Sequence, residues 1–261
     1  MSVRWLDIHS HFAMLEDSAE TILSRAAECN VIAAINIATC EKDIRQVYEL
    51  SKQHFPKIFC ALGIHPHDSP EWTPEIKSFI ESHVKEDNVA CLGEMGLDYY
   101  YEYSDREMQK KAFREQLELS LKYDLPVQIH TRDAEEDTIE ILNDMGGNFK
   151  GVIHCFTGTD YLAEEALKVG LNISISGIVT FKNAKELRAT IEKVPLDRMH
   201  VETDSPFLAP VPMRGKKNEP GFVSHTAQFV ADLKGIPLKD FCEQITQNNL
   251  KVFPKLAAAY Q

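Results

Sequence analysis

Arg4–His11 reads RWLDIHSH, a short apolar run that alternates with polar residues and ends in two histidines. Seven more β-rich runs follow: Val31–Thr39 (VIAAINIAT), Lys57–His65 (KIFCALGIH), Val89–Gly96 (VACLGEMG), Pro126–Thr131 (PVQIHT), Gly151–Phe156 (GVIHCF), Leu171–Gly177 (LNISISG) and Arg198–Asp204 (RMHVETD). Helix-period segments separate them. In Asp105–Tyr123, for example, Met108, Phe113, Leu117 and Leu121 recur at four- or five-residue steps, and these four are the expected buried stripe. Asp17 or Ser18 is expected to cap the first helix and Ser104 the fourth. After the eighth run an irregular stretch, Ser205–Phe222, leads into two helical segments, Ser224–Lys234 and Leu238–Val252. Strict alternation of strand and helix implies a parallel sheet covered by helices, and eight units favour closure into a (β/α)₈ TIM barrel. No glycine-rich phosphate fingerprint follows the first run, which argues against a dinucleotide-binding sheet. The 261 residues match the ~250 typical of such a barrel, so residues 1–261 are expected to form a single α/β domain.

Residues two apart on a strand share a face, so Asp7, His9 and His11 project the same way. In a TIM barrel the C-terminal strand ends form the functional mouth. The later runs bring Glu94, His130, His154 and Asp204 to equivalent positions, and the third ends in His65-Pro66-His67. Imidazole and carboxylate are the usual ligands of Zn²⁺ and related divalent ions. An isolated HxH recurs by chance, but the same decoration on most of the strand ends points to metal. The expected ligands are therefore His9, His11, Glu94, His130, His154 and Asp204. Six exceed what one tetrahedral ion takes, which implies two divalent ions, Mg, Mn or Zn. Glu94 is the natural bridge, with His9, His11 and Asp204 completing one site and His130 with His154 the other. A water held between two such ions is acidified towards neutrality, and Asp204 is positioned to orient it and take its proton. Glu94 and Asp204 are thus the expected catalytic residues.

Around this set, Arg132 shares the parity of His130 and is expected on a substrate phosphate rather than paired with Asp133 or Glu135. Arg214 and Lys216, in the basic stretch Arg214–Asn218, follow the eighth run and are expected to bind substrate too. Glu219 is expected to hold that loop closed through nearby cations. Tyr99, Tyr100, Tyr101 and Tyr103 present faces able to stack unpaired bases, although packing against neighbouring helices is the favoured expectation. Glu202 is expected to orient a ligand histidine. Cys155, opposite in parity to His154, should face the helix layer as an inert buried thiol. His54, His83 and His225 are expected to be bystanders.

Net charge is −12, and an acidic field opposes any long groove that tracks nucleic-acid phosphates. It leaves room for a local site where cations supply the positive charge. Six scattered cysteines without a CxxC fit reduced thiols, the start MSVRWLDIHSHF lacks the apolar run of a signal peptide, and no run approaches ~18 apolar residues. The expected compartment is the cytoplasm, with no membrane and no obligate protein partner.

The elements HSH, GIHPH, GE-x-GLDYY, IHTRDA, HCFTG, ETDSP and RGKKNEP occur in this order over essentially the whole chain. In these the chain resembles the TatD family of metal-dependent deoxyribonucleases, a branch of the amidohydrolase superfamily. The resemblance implies a TIM barrel, hydrolysis of DNA phosphodiester bonds, typically 3′→5′ from single-stranded ends, and support by Mg²⁺, Mn²⁺ or Zn²⁺. It assigns the same six ligands and gives His65 to a substrate phosphate. It also sets Glu94 where many superfamily relatives use a carboxylated lysine. The GLDYY form is similar to the less-studied members. Two other functions are compatible with the same residues: hydrolysis of another ester or amide, such as deacylation of mischarged tRNA, and non-catalytic metal binding.

Overall fold

The structure is a computed structural model and describes residues 3–261. All eight expected strands form: β1 (Trp5–Ser10), β2 (Val31–Ile37), β3 (Ile58–Leu62), β4 (Val89–Asp98), β5 (Val127–Arg132), β6 (Gly151–Ile153), β7 (Asn172–Ile175) and β8 (Met199–Val201). They pair in parallel in chain order within a single sheet. The ring is closed just beyond β8, where the Asp204 N–H donates to the His9 carbonyl (2.9 Å) and the His11 N–H to that of Ser205 (2.8 Å). Among the described residues nine α-helices surround the sheet: α1 (Ala19–Glu28), α2 (Glu41–His54), α3 (Pro74–His83), α4 (Arg106–Tyr123), α5 (Glu135–Asp144), α6 (Asp160–Lys168), α7 (Lys185–Lys193), α8 (Val223–Leu233) and α9 (Leu238–Val252). The architecture is the expected (β/α)₈ barrel. Strands covered on both faces read as continuous apolar runs, and every residue of β3 and β4 is buried. No helix among the described residues is long and apolar enough to cross a membrane.

Two expectations about helices are corrected in part. Ser18 caps α1, its hydroxyl accepting from the Thr21 N–H, but α4 is capped by Asp105, which accepts from the N–H groups of Glu107 and Met108. Ser104 stays buried with its hydroxyl unpaired. The inner face of α4 runs through Gln109, Ala112, Phe113, Gln116, Leu117 and Ser120, while Met108 and Leu121 are exposed. Counting apolar residues missed this face because two glutamines occupy it. The Gln116 side chain accepts from the Ile64 N–H and donates to the Ile64 carbonyl (2.8 and 3.0 Å). Gln109 does the same for Asp98 (2.8 and 3.1 Å). Helix α4 thus satisfies the backbone groups where β3 and β4 reach the mouth, groups that burial would otherwise penalise.

Candidate metal centre

Strand geometry brings the expected ligands together. Gly96 sits between Glu94 and Asp98 at φ +145°, and a Cβ there would fall 1.9 Å from the His130 carbonyl oxygen, so only glycine lets β4 lie this close to β5. Glu94 is buried in the middle of β4, His130 lies on β5, and His154 and Asp204 follow β6 and β8. Asp204 adopts a left-handed backbone (φ +57°) that aspartate tolerates better than most residues.

Glu94 turns its two oxygens to different partners. Its Oε2 lies 3.5 Å from His9 Nε2 and 3.9 Å from His11 Nε2. Asp204 Oδ1 is 3.6 Å from His9 Nε2 and 3.3 Å from His11 Nε2, and the two imidazole nitrogens are 3.3 Å apart. Four donors set tetrahedrally about 2.1 Å from an ion lie about 3.4 Å from one another. The separations among His9, His11 and Asp204, 3.3 to 3.6 Å, lie near that value, so these three donors fit a divalent cation of zinc-like bond length, with Glu94 Oε2 beside them. On the other side Glu94 Oε1 is 2.6 Å from His154 Nε2, 2.9 Å from His130 Nδ1 and 3.5 Å from His65 Nε2. His65 thus stands beside the second set, its Nδ1 accepting from the His67 N–H (3.1 Å).

Neighbouring residues fix these rings. The Gln128 carbonyl oxygen is 2.6 Å from His9 Nδ1, and its amide donates to the Ile8 carbonyl (2.7 Å). Asp98 Oδ2 lies 3.1 Å from His130 Nε2 and 3.0 Å from His67 Nε2, although the latter makes no hydrogen bond there. Glu202 Oε1 lies 3.3 Å from His154 Nδ1 and accepts the Cys155 N–H at 2.6 Å, while its other oxygen accepts from the Ser174 hydroxyl. Glu202 is thus where it was expected. Gln128 and Asp98 were not singled out from the sequence, yet parity could have found them: Gln128 lies two residues before His130, and Asp98 four after Glu94.

Electrostatics reinforce the pairing. Burial pushes the Glu94 carboxyl up, but His154, His65 and His130 hold it well below the usual carboxylate range. Burial likewise opposes ionisation of Asp204, and contact with His11 and His9 brings it down. Burial lowers the His11, His130 and His154 rings, but the surrounding carboxylates raise them, His154 most of all. His65 is held low by burial. These rings lie at one end of a cleft of about 690 Å³ that reaches Tyr101, Arg132 and Phe207.

Other residues depart from expectation. Cys155 does not face the helix layer. It follows β6 with φ +42°, which breaks strand alternation, so its thiol lines the cleft beside Ser176 Oγ (3.2 Å). Burial, with Asp204 and Glu202 nearby, raises that thiol well above its ordinary range, so it stays neutral. Tyr99 packs as expected, donating to Asp137 Oδ2 (2.6 Å), but Tyr100, Tyr101 and Tyr103 are exposed. Arg132 lines the cleft, its guanidinium 4.0 Å above the Tyr100 ring, with neither Asp133 nor Glu135 as an ion-pair partner. Arg214 folds over the Phe181 ring (3.9 Å), and Lys216 is exposed; neither lines the cleft. Glu219 accepts from Arg25 Nε (2.6 Å), and buried Asn218 donates to the Thr203 and Phe207 carbonyls, which fixes the loop. His54, His83 and His225 contribute nothing to the cleft.

Comparisons with known proteins agree with this architecture. A family model described as TatD related DNase matches residues 6–254. The metal-dependent hydrolase YabD of Bacillus subtilis, itself uncharacterized, is 35% identical over 250 residues, covering 95% of this chain and 98% of its own. The 3′-5′ ssDNA/RNA exonuclease TatD of Erwinia tasmaniensis is 35% identical over 240 residues, 90% of this chain and 93% of its own. The crystal structure of YJJV, a TatD homologue from Escherichia coli, superposes with a TM-score of 0.87 at 28% identity, covering 97% of this chain and 98% of its own. With the barrel, the motifs and these relatives in agreement, the chain belongs to the TatD family of metal-dependent hydrolases.

Proposed function

We propose that the protein is a two-cation phosphodiesterase that removes nucleotides from the 3′ ends of single-stranded DNA. The observation that carries this reading is the division of Glu94, one oxygen towards His9 and His11 and the other towards His130 and His154. His9, His11, Asp204 and Glu94 Oε2 would hold one divalent ion (Mg, Mn or Zn), and His130, His154 and Glu94 Oε1 the second. Such a pair supplies an acidified nucleophile and counter-charge for phosphoryl oxygens.

The chain's own residues complete the chemistry. Of the two carboxylates Asp204 is 14% exposed and Glu94 4%, so Asp204 is the one more open to the cleft and the proton acceptor of choice. Gln128, Asp98 and Glu202 keep the rings in fixed orientations. His65 and Arg132 line the cleft and offer N–H donors to phosphate oxygens. A net charge of −12 suits an enzyme that grips a terminus rather than a long strand. The relative named as a 3′-5′ ssDNA/RNA exonuclease supports the same bond and polarity. Six free cysteines suit a reducing compartment, the cytoplasm.

The test is digestion of 5′-labelled single-stranded DNA, with single-stranded RNA and a chromogenic phosphodiester alongside. A ladder shortening from the 3′ end is expected with Mn²⁺ or Mg²⁺ and none with EDTA. Failure to cut any of the three across Mg²⁺, Mn²⁺ and Zn²⁺ overturns the proposal.

A further inference from the structure

Tyr100, Tyr101 and Tyr103 are 57%, 45% and 71% exposed, three large rings within four residues, of which Tyr101 lines the cleft. Scattered exposed aromatics are ordinary, but a contiguous group beside a cleft marks a contact surface. The segment is held firmly. Asp98 Oδ1 accepts the N–H groups of both Tyr100 and Tyr101 at 3.0 Å. The Tyr99 N–H donates to the Arg132 carbonyl (2.9 Å), and the Arg106 guanidinium covers the Tyr99 ring at 4.1 Å. Beyond this anchor the Tyr101 and Tyr103 rings stack, with centroids 5.3 Å apart and planes 23° from parallel.

The surface is continuous with the metal centre. The Tyr103 ring meets His67 edge-on at 4.8 Å, His67 lies against Asp98, and Asp98 orients His130 beside Glu94. Among the lysines and arginines of the described residues, Arg132 alone lines the cleft, and its guanidinium rests on Tyr100 (4.0 Å) and Tyr101 (4.8 Å). A phosphate donor and a set of exposed aromatic rings thus stand side by side, already ordered. Stacking on aromatic faces needs no net positive charge and tolerates any base, which is what an acidic protein requires to hold nucleic acid. Bases inside a duplex keep their faces covered by neighbours.

We propose that Tyr100, Tyr101 and Tyr103 form a stacking platform for unpaired nucleobases, placing the adjoining phosphodiester beside Arg132 and the metal centre. This rests on the phosphodiesterase reading for its substrate class and adds how the strand is gripped. Because Tyr103 is largely exposed, replacing it removes no core contact.

The experiment titrates single-stranded DNA carrying 2-aminopurine near its 3′ end, with Ca²⁺ in place of Mn²⁺, against the full chain, Tyr103→Leu, the double variant Tyr101→Leu/Tyr103→Leu and Tyr103→Phe. The native protein and Tyr103→Phe should quench the fluorophore, whereas each leucine variant should bind about tenfold more weakly and quench less. In Mn²⁺ the leucine variants should raise KM for the oligonucleotide by a similar factor while kcat stays within about twofold. Equal affinity and quenching in native and leucine variants would overturn the platform even if DNA cleavage is established. So would blunt duplex binding as tightly as single strand. Quenched binding that disappears in the leucine variants, in a protein that cuts no phosphodiester, would support the platform and remove the cleavage reading alone.

Discussion

His200 and His11 are both buried histidines of this barrel, and their surroundings differ in kind. His200 Nδ1 lies 2.6 Å from Asn249 Oδ1, and its Nε2 lies 2.9 Å from Asn172 Nδ2. One neutral tautomer, donating from Nδ1 and accepting at Nε2, satisfies both amides, and burial pushes the ring down to about 4. His11 instead presents Nε2 to His9, Asp204 and Glu94, and its buried Nδ1 has no partner. Burial lowers this ring as well, yet the carboxylates raise it. A structural histidine receives complementary neutral partners. The mouth of the barrel gathers lone pairs that repel one another unless protons or cations lie between them, and that distinguishes a ligand set from a satisfied core.

The largest effect that tests this contrast falls on Glu94. In Glu94→Ala both donor sets lose an oxygen, so hydrolysis should drop on the order of a thousandfold or more and bound metal per chain should fall. Near-normal turnover with unchanged metal content would sink the bridging role. Next comes the pH response of His200. Its folded pKa lies below the ordinary 6.5, so the unfolded chain binds the extra proton. Its contribution is therefore complete above pH 6.5 and lost as pH falls towards about 4, on the order of 3 kcal/mol in all. Urea midpoints of native protein and His200→Gln, both with EDTA, should converge over that window. The difference between them cancels the opposite trend of His11, His130 and His154, which gain stability on protonation. Curves that stay parallel from pH 7.5 to 4.5 would show that His200 is not the neutral core residue described.

A smaller effect should follow from Glu202→Gln. The carboxylate holds His154 and the Cys155 N–H together, and its loss should weaken metal binding about 10- to 100-fold while folding persists. Calorimetric metal titration checks this. The deficit should narrow as pH drops, because Glu202 helps to raise the native His154 ring, which must give up a proton before it can serve as a ligand, and the variant is relieved of part of that competition.

Strand positions and the six convergent residues were legible in the sequence because a parallel barrel writes them plainly. Buried strands are apolar runs, and functional groups collect where those runs end. What escaped depends on local backbone rather than on pattern. Cys155 reaches the cleft because a left-handed residue interrupts the alternation that parity assumes. The inner face of α4 escaped because Gln109 and Gln116 are polar residues doing the work of loop anchors. Asp98 was readable by parity, yet its role as partner of His130 emerges only once β4 extends two residues past Gly96. The exposure of Tyr100 and Tyr101 follows from Asp98 pinning their amides, an interaction that composition does not reveal.

The smallest expected effect concerns the basic loop, which the sequence reading set beside the substrate. Arg214 is committed to Phe181 and the Ala209 carbonyl, and Lys217 pairs with Glu16. Lys216 is exposed and lies outside the cleft lining. From there a lysine influences DNA through its field rather than through contact, and such influence is screened within a Debye length. Lys216→Ala should therefore raise KM for single-stranded DNA only about two- to threefold at low salt, and the difference should vanish near ~1 M salt, where the Debye length is ~3 Å. Arg132→Ala, which removes a group lining the cleft itself, should keep much of its defect under the same conditions. A Lys216→Ala defect that survives high salt as fully as that of Arg132→Ala would mean that the loop closes onto the strand, and the border between contact and field would have to be redrawn to include it.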